Sequence, residues 1–154
     1  MTVKVGSVVP DFSAPSTDGD FRLSDARGSA LLIYFYPKDN TPGCTSQSKD
    51  FAAAYARLTE QGTRIIGVSR DSIQSHLGFK EKLKLPFALL SDPDEQVCKL
   101  FGVIKDKTMY GRPVRGIERS TFLLDAQGVL RHEWRGVKVP GHVDETLAAV
   151  RGLG

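Results

Sequence analysis

The sequence predicts an α/β fold: one mixed β-sheet with helices packed on both of its faces. Three observations point that way. Strand-length apolar runs alternate with segments of helical periodicity through the middle of the chain. The run Ala30-Leu-Leu-Ile-Tyr-Phe-Tyr36 is apolar throughout, the pattern of a strand buried on both faces. Near the C-terminus, two strand-like segments flank Asp125-Ala-Gln-Gly128, whose glycine suits a hairpin turn.

Taken in order, Val3 to Phe12 is predicted as an irregular strand ending in a turn at Pro10-Asp11. Thr17-Asp18-Gly19-Asp20 signals a hairpin leading into a short strand at Phe21–Leu23. After the central strand Ala30–Tyr36, a helical pattern runs from Ser46 to about Glu60, with Phe51, Tyr55 and Leu58 as its core-facing stripe. Thr63–Ser69 is the next strand. Asp71 with Gln74 three residues on resembles a capping box and opens a helix to about Lys84. Phe87–Leu90 is a short strand, and Asp92-Pro93-Asp94-Glu95 reads as a helix start with a cap, proline at N1 and acids in the first turn. That helix stops at Gly102. Ile117–Leu124 and Val129–Trp134 are the final strands, and His142–Val150 is a closing helix. This order is the thioredoxin-like plan with an N-terminal β extension, which by itself proves no activity.

The bulk numbers bound the function. A chain of 154 residues suits one domain with a substantial core, so residues 1–154 are expected to form one unit. Its 40% hydrophobic and 25% charged residues are ordinary for a globular protein. The longest apolar run is too short to span a bilayer, and the N-terminus has no apolar leader, so a cytoplasmic location is expected. The net charge of +3 comes from 21 Lys/Arg against 18 Asp/Glu, interleaved and without a basic stripe, which argues against nucleic-acid binding. Two cysteines, Cys44 and Cys98, are too few for a disulfide scaffold. With three scattered histidines and no C-x-x-C, neither a structural zinc site nor another cofactor is expected.

The chemistry concentrates at Pro37-Lys38-Asp39-Asn40-Thr41-Pro42-Gly43-Cys44, between the central strand and its helix. Taking Thr41 as N-cap, Pro42 as N1 and Gly43 as N2 puts Cys44 at N3, facing backbone N–H groups with no helical partner and the positive end of the dipole. Such a position favours a thiolate, the nucleophilic form of cysteine. Gly43 lets a substrate approach the backbone. Cys44 also lies seven residues before Phe51, so it sits at the edge of the buried stripe, partly shielded yet reachable at the helix mouth. Ionisation is only part of the requirement. A thiol of pKa ~8.5 is about 3% ionised at pH 7, so full ionisation gains roughly 30-fold, or ~2 kcal/mol. Faster chemistry needs donors aimed at developing charge, for which Thr41, the Cys44 amide and an arginine from elsewhere are the candidates.

These residues resemble the peroxiredoxins, specifically the bacterioferritin-comigratory or peroxiredoxin Q subfamily. Tyr34 to Thr45 fits that family's P-x-x-x-T-x-x-C signature through Pro37, Thr41 and Cys44. Gly116-Ile-Glu-Arg-Ser-Thr-Phe-Leu-Leu-Asp125 looks like the family strand bearing its active-site arginine, which maps to Arg119. Gly6 to Phe12 and Leu90 to Asp94 also match, so the resemblance spans nearly the whole chain. It implies a thioredoxin-dependent thiol peroxidase. Cys44 would attack the terminal oxygen of hydrogen peroxide or an alkyl hydroperoxide and become a sulfenic acid. Thr41 would orient the peroxide, Arg119 would stabilise thiolate and transition state, and Pro37 would shield the pocket. Relatives are often monomers, and a monomer is expected here.

The chain departs from that pattern in its second thiol. Many relatives carry a resolving cysteine five residues after the first, where this chain has Lys49; others resolve from the following helix, which here offers His76 and Lys80. Cys98 lies near the end of its helix in an apolar setting, which disfavours a thiolate, and is expected to be structural. The reading is therefore a 1-Cys enzyme whose sulfenic acid is attacked by thioredoxin, glutaredoxin or a small thiol. Cys98 as an atypical resolving cysteine is one alternative. A non-enzymatic redox sensor or chaperone using Cys44 is another. A Cys-His hydrolase lacks a recognisable partner motif among His76, His132 and His142, which are expected to be structural or surface residues. Gln47 and Arg115 are candidates for the pocket border, with Arg115 read instead as a solvated loop residue.

Overall fold

The computed structural model describes residues 3–153. A seven-stranded mixed sheet forms its centre, in the order β2-β1-β5-β4-β3-β8-β9. The strands are β1 (Ser13–Ser16), β2 (Gly19–Arg22), β3 (Ala30–Phe35), β4 (Thr63–Ser69), β5 (Ala88–Ser91), β8 (Ser120–Leu124) and β9 (Leu130–Arg135). β3, β4 and β5 run parallel, joined by α1 (Pro42–Glu60) and α2 (Ile73–Leu83), while β8 returns antiparallel to β3. The thioredoxin-like plan expected from the order of elements is the one observed.

β3 lies between β4 and β8, and its alternation divides the core. Leu31, Ile33 and Phe35 face one layer with Phe101, Phe122 and Cys98. Leu32, Tyr34 and Tyr36 face the other, with Cys44, Phe51 and Leu58 of α1 and Val143, Leu147 and Val150 of α4 (His142–Gly152). A strand with both faces buried has no polar side chain to spare, which is why β3 is apolar throughout. Tyr34 packs so closely over β4 that a Cβ at Gly67 would stand 2.8 Å from its ring and from Leu89. The two cysteines thus occupy opposite layers of the sheet.

Several elements differ from expectation. Val3–Phe12 forms no strand: Gly6 at φ +92° breaks the extension, Val8 makes a single bridge to Val129, and the first true strand begins at Ser13. The helix expected at Asp92-Pro93 begins later, as α3 (Gln96–Leu100). Asp92 still caps it, accepting from Val97 N–H at 3.2 Å and Cys98 N–H at 2.8 Å across an extra turn. α2 is capped by Ser72, whose hydroxyl accepts from Ser75 N–H, and Asp71 is engaged elsewhere. Sequence patterning misses a hairpin, β6 (Ile104–Met109) with β7 (Arg112–Ile117), because its strands are largely exposed and carry no apolar alternation. Its two-residue turn, Tyr110-Gly111, has positive φ at both positions, the geometry of a primed hairpin turn.

That hairpin also splits the single strand expected over Ile117–Leu124. β7 pairs with β6 up to Ile117, β8 pairs with β3 from Ser120, and Glu118-Arg119 cross between the two sheets.

Candidate active site

α1 starts at Pro42 with Thr41 as N-cap in extended conformation, φ −89° and ψ 152°. Its first helical bond is Thr45 N–H to Thr41 C=O at 2.9 Å. The Thr41 side chain does not cap the helix as its residue type suggests. Its hydroxyl donates instead to Lys38 C=O at 2.8 Å, committing the hydrogen and leaving the oxygen as an acceptor. The Gly43 and Cys44 N–H groups, which precede the first intrahelical bond, therefore receive no capping oxygen from Thr41.

Cys44 is buried, 1% exposed, deeper than the partial shielding the sequence suggests. Arg119 arrives from the strand break between β7 and β8. Its Nη2 donates to Cys44 Sγ at 3.3 Å, and its Nη1 donates to Gln47 Oε1 at 2.6 Å. Gln47 lies one turn after Cys44 on the same helix face, so one helix presents both acceptors to one guanidinium fork. Gly43 makes room for it: a Cβ there would stand 3.1 Å from Arg119 Nη2. Its absent side chain thus admits the arginine, a closer constraint than the substrate approach expected from sequence. The backbone of Arg119 is held by Val137 N–H on its carbonyl at 2.9 Å. A cation on the sulfur, at a helix start whose first amides take no oxygen from Thr41, is the electrostatic complement of an anionic sulfur and of charge building on an attacked oxygen.

Pro37 lies exposed in the loop between β3 and α1. Arg115 is not a loop residue: it sits on β7 and donates to Glu95, which also takes Arg70 Nη1 at 3.0 Å. The Arg115 hydrogen bond is the foremost cause holding the Glu95 carboxyl below its ordinary value, with burial opposing and Arg70 adding to it. The cluster ties β7, and so the approach to Arg119, against α3. Lys49 is exposed on α1. Cys98 is fully buried, and burial first, then Asp92, pushes its thiol far above the ordinary range.

Of the histidines, His132 is exposed and stacks on Trp134 with ring centroids 5.6 Å apart. His142 is buried against Phe51 and Trp134 with Nε2 2.8 Å from Thr121 Oγ1; burial lowers its pKa, with Glu145 opposing and Arg119 adding to the shift. His76 belongs to a buried network that sequence reasoning missed, beneath the loop that carries Thr41. Asp39 accepts from Tyr36 Oη at 2.7 Å, Ser75 Oγ at 2.8 Å and His76 Nδ1 at 2.8 Å. His76 Nε2 donates to Leu90 C=O at 2.8 Å. Asp71 Oδ2 accepts from Asp39 N–H at 2.9 Å and Ser69 Oγ at 2.5 Å. Ligand atoms of Asp39, Asp71 and His76 lie within 4.8 Å of one another, as a metal site would require. Both imidazole nitrogens are already committed to oxygen acceptors, however, so the trio is a hydrogen-bond network. No local motif marks it, because its members come from a loop, two strands and a helix.

Among known proteins, the AhpC/TSA family profile matches residues 5–133. Peroxiredoxin Bcp of Xanthomonas campestris pv. campestris is 53% identical over 124 residues, 80% of this chain and 78% of that protein. The putative peroxiredoxin bcp of Coxiella burnetii is 44% identical over 148 residues, 96% of this chain and 98% of its own length. The structure of Xanthomonas campestris peroxiredoxin Q superposes with a TM-score of 0.90 at 46% identity, covering 97% of this chain and 96% of that one. Trapped intermediate and ligand complexes of the Xanthomonas campestris bacterioferritin comigratory protein, solved to study its alkyl peroxide reduction, superpose with a TM-score of 0.90 at 45% identity, covering 97% and 96% of the two chains. Among the described residues, no helix is long and apolar enough to cross a membrane.

Proposed function

The chain belongs to the AhpC/TSA family, as a thiol peroxidase of the bacterioferritin comigratory protein and peroxiredoxin Q group, and we propose that Cys44 is its peroxidatic residue in a 1-Cys cycle. The 3.3 Å hydrogen bond from Arg119 Nη2 to Cys44 Sγ carries this reading. The substrates are hydrogen peroxide and alkyl hydroperoxides.

The Cys44 thiolate attacks the terminal peroxide oxygen along the O–O axis. An S–O bond forms, the O–O bond breaks, and the electron pair leaves on the other oxygen. That oxygen takes a proton and departs as water or alcohol, and the sulfur is left as a sulfenic acid. Thr41 Oγ1, its own hydrogen held by Lys38 C=O, accepts the hydrogen of the peroxide hydroxyl. Arg119 and the amides of Gly43 and Cys44 donate to the oxygens as charge builds on them. Gln47 holds the second arm of the guanidinium, so the donor is already in place when substrate arrives. Pro37 closes the outer side of the loop.

External resolution is supported by the position of the other thiol. Cys98 is buried in the opposite layer of the sheet, behind β3 and β4, and joining it to Cys44 would require the core to open. A thiol of thioredoxin or glutaredoxin, or a small thiol, then attacks the sulfenic sulfur. An S–S bond forms, the S–O bond breaks, the hydroxyl leaves as water with the thiol's proton, and a second thiol reduces the mixed disulfide to free Cys44. That step assigns the reaction to a reducing compartment such as the cytoplasm. Mass spectrometry after one equivalent of peroxide tests the cycle, with Cys98→Ser alongside. A sulfenic acid trapped at Cys44 in both proteins is expected, and a Cys44–Cys98 disulfide would overturn the 1-Cys reading. Peroxide consumption by Cys44→Ser at the parent rate would overturn the assignment of Cys44.

A further inference from the structure

We propose that Asp39 and His76 are positioning residues for peroxide reduction: a buried carboxylate–imidazolium pair that fixes the turn presenting Thr41 at the mouth of α1. The inference rests on the assignment of Thr41 as the residue that orients peroxide.

The charge follows from donor bookkeeping. His76 Nδ1 faces Asp39 Oδ2 at 2.8 Å, and Nε2 faces Leu90 C=O at 2.8 Å. Neither oxygen has a hydrogen to give, because the Asp39 carboxyl is held below its ordinary range; its burial opposes this, but hydrogen bonds from His76, Tyr36 and Ser75 outweigh it. Both ring nitrogens therefore donate, which only the cationic ring can do. The groups facing the ring from the other elements are Tyr36 Oη, just after β3, and Ser69 Oγ of β4, each at 3.5 Å. Asp71, which follows β4, holds the Asp39 N–H from the other side.

The pair acts on a short and specific stretch of chain. Asp39 is two residues before Thr41, and its neighbour Asn40 takes the left-handed conformation, φ +63°. Lys38, on the other side of Asp39, supplies the carbonyl that takes the Thr41 hydroxyl hydrogen. Anchoring Asp39 to α2 through His76, and to β5 through the other face of the same ring, thus sets both the turn and the carbonyl that aims Thr41. Stability alone does not account for the pair. Buried ion pairs give little net stabilisation over apolar residues of similar volume, because desolvation cancels most of the attraction. Their ordering of a unique local geometry is the consequence that remains. Asp39 at 4% exposure and His76 at 0% are desolvated enough for that to hold.

The test separates positioning from bulk structure. Asp39→Asn keeps the shape but removes the charge that holds the ring cationic. The second-order rate constant for reaction of reduced enzyme with hydrogen peroxide, read by rapid mixing without any reductant, should fall about 10-fold or more, since misplacing a reacting group by ~1 Å costs on the order of 100-fold. Alkylation of Cys44 by iodoacetamide, which does not use Thr41, should stay within about twofold of the parent, a ratio near RT ln 2 or ~0.4 kcal/mol. In a Thr41→Ala background, Asp39→Asn should have little further effect, because the two residues act as one unit. Fully additive losses, or a parallel fall in alkylation, would overturn the proposal. Nitrogen-15 spectra of the unaltered protein should show a hydrogen on each His76 ring nitrogen; a singly protonated ring would overturn the ion pair without recourse to any variant. A parent protein that fails to react with peroxide at Cys44 would instead sink the underlying peroxidase reading.

Discussion

Gly43→Ala puts one methyl group between helix and arginine, and the structure sets what it does. The added Cβ would stand 3.1 Å from Arg119 Nη2 and 3.8 Å from Cζ, so the guanidinium must retreat by a few tenths of an ångström. It cannot slide freely: Nη1 is held by Gln47 at 2.6 Å, so the retreat falls on Nη2, whose bond to Cys44 Sγ is already 3.3 Å. A hydrogen bond involving a charged group contributes ~1.5–3 kcal/mol, and losing half to all of it corresponds to a rate loss of about 4-fold to 100-fold. The helix itself gains, because Ala at a helical position is favoured over Gly by ~0.5–1 kcal/mol. The helical gain offsets only part of the lost Arg119–Cys44 bond, so the expected result is a folded protein that loses at most about 2.5 kcal/mol of stability and reduces peroxide more slowly. Single-turnover reaction with hydrogen peroxide by rapid mixing gives the rate, and urea denaturation gives the stability. A variant as fast as the parent would refute the close approach of Arg119 as a rate-determining feature. A variant that is slow because it is largely unfolded under the assay conditions would refute the stated cause.

Three further outcomes follow from the same geometry. Arg119→Lys keeps the charge but cannot reach Cys44 and Gln47 together, so the peroxide rate constant should fall about 10-fold to 100-fold, the worth of one charge-assisted hydrogen bond; an unchanged rate would show that charge alone suffices. Native Cys98 should resist iodoacetamide at mildly alkaline pH and react only once the protein is unfolded in guanidinium, because burial and Asp92 keep it a thiol; equal labelling of both cysteines in the native protein would contradict this. Asp39 has a folded pKa below its unfolded value, so it adds stability that is present above the unfolded value and is lost as pH falls through the folded one. Asp39→Asn should therefore lose less stability than the parent between pH ~5 and ~2, measured by thermal melts, and parallel curves would contradict the linkage.

Much of the site is legible along the chain because its helix-mouth half is local. Pro37, Thr41, Gly43 and Cys44 fall in eight consecutive residues, and the strand and helix on either side follow from patterning within their own spans. Arg119 is legible only through resemblance, because 75 residues separate it from Cys44 and no spacing rule connects them. The β6–β7 hairpin leaves no pattern in the sequence because its strands bury too little to need alternation, and neither does the strand break that turns Arg119 toward the thiol.

What the sequence by itself determined was the helix mouth: a cysteine in the first turn of a helix, the threonine, proline and glycine before it, and Lys49 in place of a second thiol five residues on. Those features depend on near neighbours, whose geometry the backbone imposes whatever the rest of the chain does. Only the tertiary structure decided that Thr41 gives its hydrogen to Lys38 instead of capping the helix. It alone put Cys98 behind the sheet and laid a buried Asp39–His76 pair beneath the loop. Each of these depends on which groups meet across the sheet, and on burial, which turns an ordinary charge or thiol into one that must find a partner or stay neutral.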